Sequence, residues 1–307
     1  MGRAIPLQTL HATLSASQPA AIVSIQGMAG VGKTALAAHA AYQLRSQFPD
    51  GVLWANVAHA NPLAILSAFA GAYGQDVSRY PDVESRSQAV RALLADKQAL
   101  LVLDDVHHSE VVYPLLPPTG RCAVIITTQR HDLAITQGVQ RLHLYGFDQA
   151  TNEAQQLFSR ILGEEYVAQN AVACAAIADR VGHLPLAVAL AAGLLASDPQ
   201  WRPAALFADL AQDQSCLSVL AQDDQNLWVP FDLSYQALTA TQRIFFCALS
   251  VFGGADFGVA SVAAAAQSST ATTHDQLRQL YSCSLVQQGR AGRYRLHPLL
   301  QMFAQHL

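Results

Sequence analysis

Residues 27–34 read GMAGVGKT, and glycines spaced ahead of a lysine–threonine pair suit one task, the capture of a phosphate chain. Gly30 and Gly32 let the backbone turn its N–H groups inward. Ala29, Gly30, Val31, Gly32, Lys33, Thr34 and Ala35 would then line a cradle, and the following helix adds the positive end of its dipole. Lys33 would reach the β- and γ-phosphates and the Thr34 hydroxyl would ligate Mg2+. A second partner for that ion stands in LLVLDDV, residues 100–106, where Asp104 ends an apolar run and would hold the ion's hydration shell. Asp105 either orients and polarises an attacking water or, with Asp104, caps a strand-to-loop turn. In IITTQR, residues 125–130, Thr127, Thr128, Gln129 and Arg130 either sense the γ-phosphate or belong to a solvated loop.

Side chains of this kind need strand ends to hold them. Five apolar runs occur before residue 146, at 21–25, 51–57, 99–105, 122–128 and 140–145. Runs this short and this continuous fit parallel strands buried on both faces. Helical stretches such as ALAAHAAYQLRSQF alternate with them, which predicts an α/β P-loop NTPase domain with a parallel five-stranded sheet over residues 1–146. The strands then stop. A small helical bundle is expected over 147–222, with turns at Gly163 and Gly182, and a polar stretch at 211–226 closes it. From about Trp228, TATQ at 239–242 fits a capping box, Gly253 and Gly254 would end the helix that follows, and LVQQGRAGRYRLH reads as a β-hairpin. Helices followed by a hairpin predict a winged-helix domain over 223–307.

Composition narrows the field. The formal charge of −4 gives no global attraction to nucleic acid or to anionic lipid. Lys33 and Lys97 are the only lysines among 18 basic residues, which makes the placement of Lys33 conspicuous. Cys122, Cys174, Cys216, Cys247 and Cys283 are scattered and form no C-x-x-C pair, so they read as small buried hydrophobes in a reducing compartment. The start MGRAIPLQTL lacks a secretory core, and LPLAVALAAGLLA at 184–196 is too short to span a bilayer. A soluble, cytoplasmic protein with no membrane partner is expected.

The order of GMAGVGKT, LLVLDDV, IITTQR, GHLPLA and YRLHPLL resembles the NB-ARC module of STAND-family signal-transduction ATPases, over nearly the whole chain. The resemblance implies an ADP/ATP-dependent switch with adenine nucleotide and Mg2+ as cofactors. ADP would hold the subdomains closed, and exchange for ATP would open them to self-association, with slow hydrolysis. It places Pro185 on the adenine, Arg3 beside the adenine, and His297 on the β-phosphate of ADP. Lys33, Asp105 and Arg130 are the candidate catalytic residues, and the resemblance implies a γ-phosphate contact from an arginine that the family carries directly after the paired threonines. Here that place is Gln129, and Arg130 stands one step on. The family's aspartate after the histidine is Pro298. Effector and sensor domains, which flank the module in the family, have no counterpart in these 307 residues, as expected of a fragment.

Two other readings stand beside the switch. One is an AAA+-type ATPase with steady turnover. The other is a nucleotide-regulated winged-helix DNA-binding regulator, against which residues 228–307 offer only a weakly basic balance, with Arg243, Arg278, Arg290, Arg293 and Arg295 facing three aspartates.

Overall fold

The computed structural model describes residues 2–15, 21–58, 60–118, 120–135, 138–197, 202–211, 228–252, 256–289 and 292–307. Its contacts divide the chain into two units, one made of Arg3–Gly27 and Gly32–Leu144, the other of Met28–Val31 and Tyr145–Leu307 with Gly2.

The first unit is built on five strands, β1 (Ile22–Gln26), β2 (Val52–Asn56), β3 (Leu100–Asp104), β4 (Ala123–Thr128) and β5 (Gln140–His143), in the order β2-β3-β4-β1-β5. Every neighbouring pair is parallel. The five apolar runs account for the five strands. Burial differs from the sequence expectation at the two edges. β3 and β4 are buried at every residue, whereas Val52 and Trp54 of β2 are exposed and β5 buries none of its side chains. Central strands are covered on both faces; an edge strand has one neighbour and less cover.

The helices of this unit are α1 (Ala4–Ser15), α2 (Lys33–Leu44), α3 (Pro62–Ala72), α4 (Val83–Leu94) and a short α5 (Ser109–Val112). α2 buries Leu36, Ala37, Ala40, Ala41 and Leu44, an apolar stripe at helical spacing. Asn61 caps α3 by accepting from the Leu63 N–H at 2.9 Å, with Pro62 at the first helical position, and Asp82 caps α4 by accepting from Ser85 N–H at 2.8 Å. These caps fix the starts of helices that propensity alone leaves open. Leu66, Phe69, Leu94, Leu101, Leu103, Val124 and Ile126 lie in the core between sheet and helices.

The second unit is helical at first: α6 (Glu153–Leu162), α7 (Glu164–Gln169), α8 (Ala171–Arg180), α9 (Pro185–Ser197) and α10 (Pro203–Ala211). Gly163, with φ 94°, separates α6 from α7. α9 buries Ala187, Val188, Leu190, Ala191, Ala192, Leu194 and Leu195, so its long apolar run is an interior helix. The polar stretch after Ala211 and the Gly253–Gly254 stop lie outside the described residues, as do Met1 and Cys216.

Helices Trp228–Gln236, Ala240–Ala248, Val259–Ala265 and Thr270–Ser282 follow. The capping box is present: Thr239 accepts from the Gln242 N–H at 3.3 Å and Gln242 returns the bond to the Thr239 N–H at 2.7 Å. Gln287–Gln288 then pairs antiparallel with Tyr294–Arg295, and helix Pro298–Gln305 closes the chain. Phe303 anchors this part, edge-on to Phe231 at 6.0 Å and tilted against Phe246 at 6.3 Å. No helix among the described residues is long and apolar enough to cross a membrane.

Candidate functional site

The glycine-rich stretch turns where its glycines require. Gly30 and Gly32 have φ 75° and 92°, values an L side chain resists. Space separates the two. A Cβ on Gly30 would lie 3.1 Å from Leu186 Cβ, whereas one on Gly32 would meet nothing within 4 Å. Gly30 is therefore closed by packing, and its carbonyl accepts from the Leu186 N–H at 3.1 Å. Gly32 is open. α2 starts immediately after it, so the positive end of the helix dipole belongs to the same place. Ala29 and Val31 are buried, while Thr34 and Ala35 are exposed.

Lys33 is buried at 8% exposure. Its ammonium donates to the Gly27 carbonyl at 2.8 Å. Burial pushes its pKa down to about 8, against the pull of Asp105 and Asp104. A cation held where desolvation disfavours its charge gains most from an anion brought beside it.

Asp104, at the end of β3, gathers the hydroxyls around it. Thr34 Oγ1 donates to its Oδ1 at 2.9 Å, and Thr127 Oγ1 donates to the same oxygen at 2.5 Å. The Asp105 N–H in turn donates to Thr127 Oγ1 at 2.9 Å. Hard oxygen donors of this kind, a hydroxyl and a carboxylate 2.9 Å apart, are what a magnesium ion takes. Asp105 has φ 58°, a left-handed backbone that a non-glycine residue adopts only when its surroundings impose it. Its carboxylate lies 3.4 Å from His107 Nε2.

The tip of β4 divides. Thr127 and Thr128 are buried, and Thr128 Oγ1 donates to the Val106 carbonyl at 2.6 Å; both hydroxyls brace the β3–β4 strand ends. Arg130 forms a forked pair with Asp132, from Nε at 2.9 Å and from Nη2 at 2.6 Å. Beyond it His131 stacks on His143 with ring centroids 5.1 Å apart. Burial pushes the His131 pKa down to about 4 and lowers that of His143, so both rings are neutral at pH 7. Arg3 also takes a left-handed backbone, with φ 63°, and its carbonyl accepts from the Leu7 N–H at 2.9 Å, opening α1.

In the second unit, Pro185 is the first residue of α9, where its missing N–H removes no helical bond. Before it the chain makes two left-handed residues in a row, Gly182 at φ 62° and His183 at φ 55°. His183 Nε2 lies 2.7 Å from Asp179 Oδ1, and its carbonyl accepts from the Phe147 N–H at 2.8 Å. His297 is buried and caps helix Pro298–Gln305, its Nδ1 accepting from the Leu299 N–H at 3.3 Å. With Nδ1 an acceptor, the proton sits on Nε2, which donates to the Gly182 carbonyl at 3.0 Å. Both nitrogens therefore have partners within the protein. Burial pushes the His297 pKa down to about 4.

The first unit thus brings together Lys33, Thr34, Asp104 and Thr127, with Asp105 one residue on. The second brings together Gly30 and Leu186, and Gly182 and His297. His107 was missed by sequence reasoning, although the DDVHH run put two histidines next to the paired aspartates.

The NB-ARC domain profile matches residues 4–164. The chain is 34% identical over 317 aligned positions to the regulatory protein AfsR of Streptomyces coelicolor, covering 99% of this chain and 32% of that protein. It is 30% identical to the late blight resistance protein R1-A of Solanum demissum, over 57% of this chain and 14% of that one. It is 33% identical to human apoptotic protease-activating factor 1, over 38% and 10%. The chain spans about a third of the length of the AfsR relatives it matches. A profile match over half of the chain, and a relative this similar along nearly all of it, place the phosphate-loop geometry in its setting: the chain belongs to the NB-ARC family of STAND-type signal-transduction ATPases.

Proposed function

We propose that this chain is an ADP/ATP-dependent switch that holds ADP in a closed form, opens on exchange for ATP to self-associate, and hydrolyses ATP slowly. The observation that carries the reading is the buried Lys33 ammonium beside the open Gly32 cradle, at the N-terminus of α2. The β- and γ-phosphates are the anions suited to that place. Thr34 and Asp104 hold Mg2+, which supplies neutralising charge to the phosphates when bound. Asp105 orients the attacking water. In that step the water oxygen bonds to the γ-phosphorus, the bond to the bridging oxygen breaks and leaves its electron pair on ADP, and the water's proton leaves through the carboxylate.

Three domains serve the switch in this reading: the nucleotide-binding domain over 1–146, a helical domain over 147–222 and a winged helix over 223–307. Family resemblance supports Arg3 and Pro185 at the adenine and His297 at the β-phosphate. A neutral ring has one N–H, and that of His297 is on the Gly182 carbonyl. A phosphate oxygen is an acceptor as well, so the ring takes it by exchanging that partner or by gaining a proton. His297 in this way favours the closed, ADP-bound form.

Mass spectrometry of the small molecule released on denaturing the purified chain tests this directly. ADP carried through gel filtration, and lost faster from His297→Ala, is expected. Protein that binds ADP weakly, equally with and without His297, overturns the reading. Turnover on the order of 10 per second marks a motor rather than a switch.

A further inference from the structure

Asp105 and His107 flank Val106, which is fully buried. The Val106 N–H donates to the Thr127 carbonyl at 2.9 Å, and its own carbonyl accepts from Thr128 Oγ1 at 2.6 Å. Held on both sides by the tip of β4, Val106 leaves its neighbours little freedom. Asp105 is further fixed by its N–H bond to Thr127 Oγ1 and by its left-handed backbone. The result is that Asp105 Oδ1 lies 3.4 Å from His107 Nε2.

We propose that His107 restrains Asp105, holding one carboxylate oxygen away from the attacking water, and is a positioning residue that slows hydrolysis. The inference rests on the role given to Asp105 above. The carboxylate can accept from His107 or from the water, and a residue that already donates to it competes with the nucleophile for the same lone pairs. The charged groups facing the ring are Asp105, Lys33 from α2 and Arg130 from beyond β4. Asp105 raises the His107 pKa above its ordinary value of 6.5, against burial and the two cations. The imidazolium therefore persists to higher pH than in a free histidine. The restraint is strongest below that range and relaxes as pH rises through it.

Single-turnover hydrolysis of Mg·ATP by the nucleotide-stripped 307-residue chain, followed from pH 5.5 to 7.5 and so below the titration of Lys33, is the test. Wild type is expected to speed up as the imidazolium loses its proton. His107→Phe is expected to be about fivefold faster at pH 6.5, the upper value for an ion pair 41% and 38% exposed, and to lack the pH step. His107→Gln, which keeps a donor without a titrating group, is expected to stay slow at every pH. The double variant of His107→Phe with Asp105→Asn is expected to gain nothing over Asp105→Asn alone. If Asp105→Asn hydrolyses like wild type, Asp105 has no role and the earlier reading falls with the restraint. If Asp105→Asn is inactive while His107→Phe keeps the wild-type rate and pH step, the restraint alone is overturned.

Discussion

The imidazole of His297 occupies the space that a side chain on Gly182 would need. A Cβ built on Gly182 lies 2.6 Å from His297 Cε1 and Nε2 and 2.9 Å from Pro298 Cδ. Two segments 115 residues apart in sequence are held in contact by this absence of a side chain and by the Nε2–H bond to the Gly182 carbonyl.

Gly182→Ala is therefore expected to destabilise the fold by about 3 kcal/mol, combining a strained left-handed backbone with an overpacked site. Gly74 has φ 71° and open space, so Gly74→Ala should cost only about 1 kcal/mol from the backbone. Urea unfolding of both variants separates space from torsion. Equal losses would show that His297 yields freely.

The same ring predicts an acid limit. In the folded chain its pKa is pushed down to about 4 from an ordinary 6.5, because burial disfavours the charged form, and Nδ1 faces the Leu299 N–H rather than an acceptor. A base whose folded pKa is depressed stabilises the fold above the unfolded value, and that stability is lost as pH falls from about 6.5 through 4. The loss amounts to about 3 kcal/mol at full protonation. His131 titrates over the same window, so the comparison must be made between wild type and His297→Asn. The wild-type curve should fall more steeply between pH 6.5 and 4; parallel curves would remove His297 from the account.

What the sequence disclosed, and what it hid, follows from the distance over which each feature is decided. The five strands were legible because each apolar run buries itself wherever it lies in the sheet. The capping box at Thr239 and Gln242 was legible because it is settled within four residues. Edge exposure at Val52 and Trp54 was not, since it depends on how many neighbours β2 has. α1 carries little amphipathic patterning and gave no signal. The His107–Asp105 contact depends on Val106 being pinned by Thr127 and Thr128, residues brought in by strand pairing. The Gly182–His297 contact, likewise, exists only after the fold has formed.

Gly32 offers a cleaner probe of the phosphate cradle than Lys33, whose removal would leave a buried hole. A Cβ there meets no protein atom within 4 Å, so Gly32→Ala should cost about 1 kcal/mol of stability through its left-handed backbone. It should nonetheless lose nucleotide, because the methyl group fills space that the proposed phosphate needs. Unfolding and ADP titration, measured on one preparation, decide the matter. Unaltered ADP affinity would place the ligand elsewhere.

Arg130 poses the remaining question about the γ-phosphate. Its guanidinium is committed to Asp132 by two bonds in a half-exposed pair, an arrangement worth at most about 1 kcal/mol to the fold. A γ-phosphate offers the same fork a more highly charged acceptor, so Asp132 competes with ATP for Arg130 if this arginine does the sensing. Removing the competitor by Asp132→Asn should then raise ATP affinity about fivefold, the equivalent of that 1 kcal/mol, and leave ADP affinity unchanged. Arg130→Ala should lower ATP affinity, again without touching ADP, and the double variant should match Arg130→Ala. Isothermal titration with a non-hydrolysable ATP analogue and with ADP reads all four values. If Asp132→Asn and Arg130→Ala both leave the ratio of the two affinities at its wild-type value, the pair is a surface salt bridge, and discrimination of the third phosphate belongs to Gln129 or to another residue near Lys33.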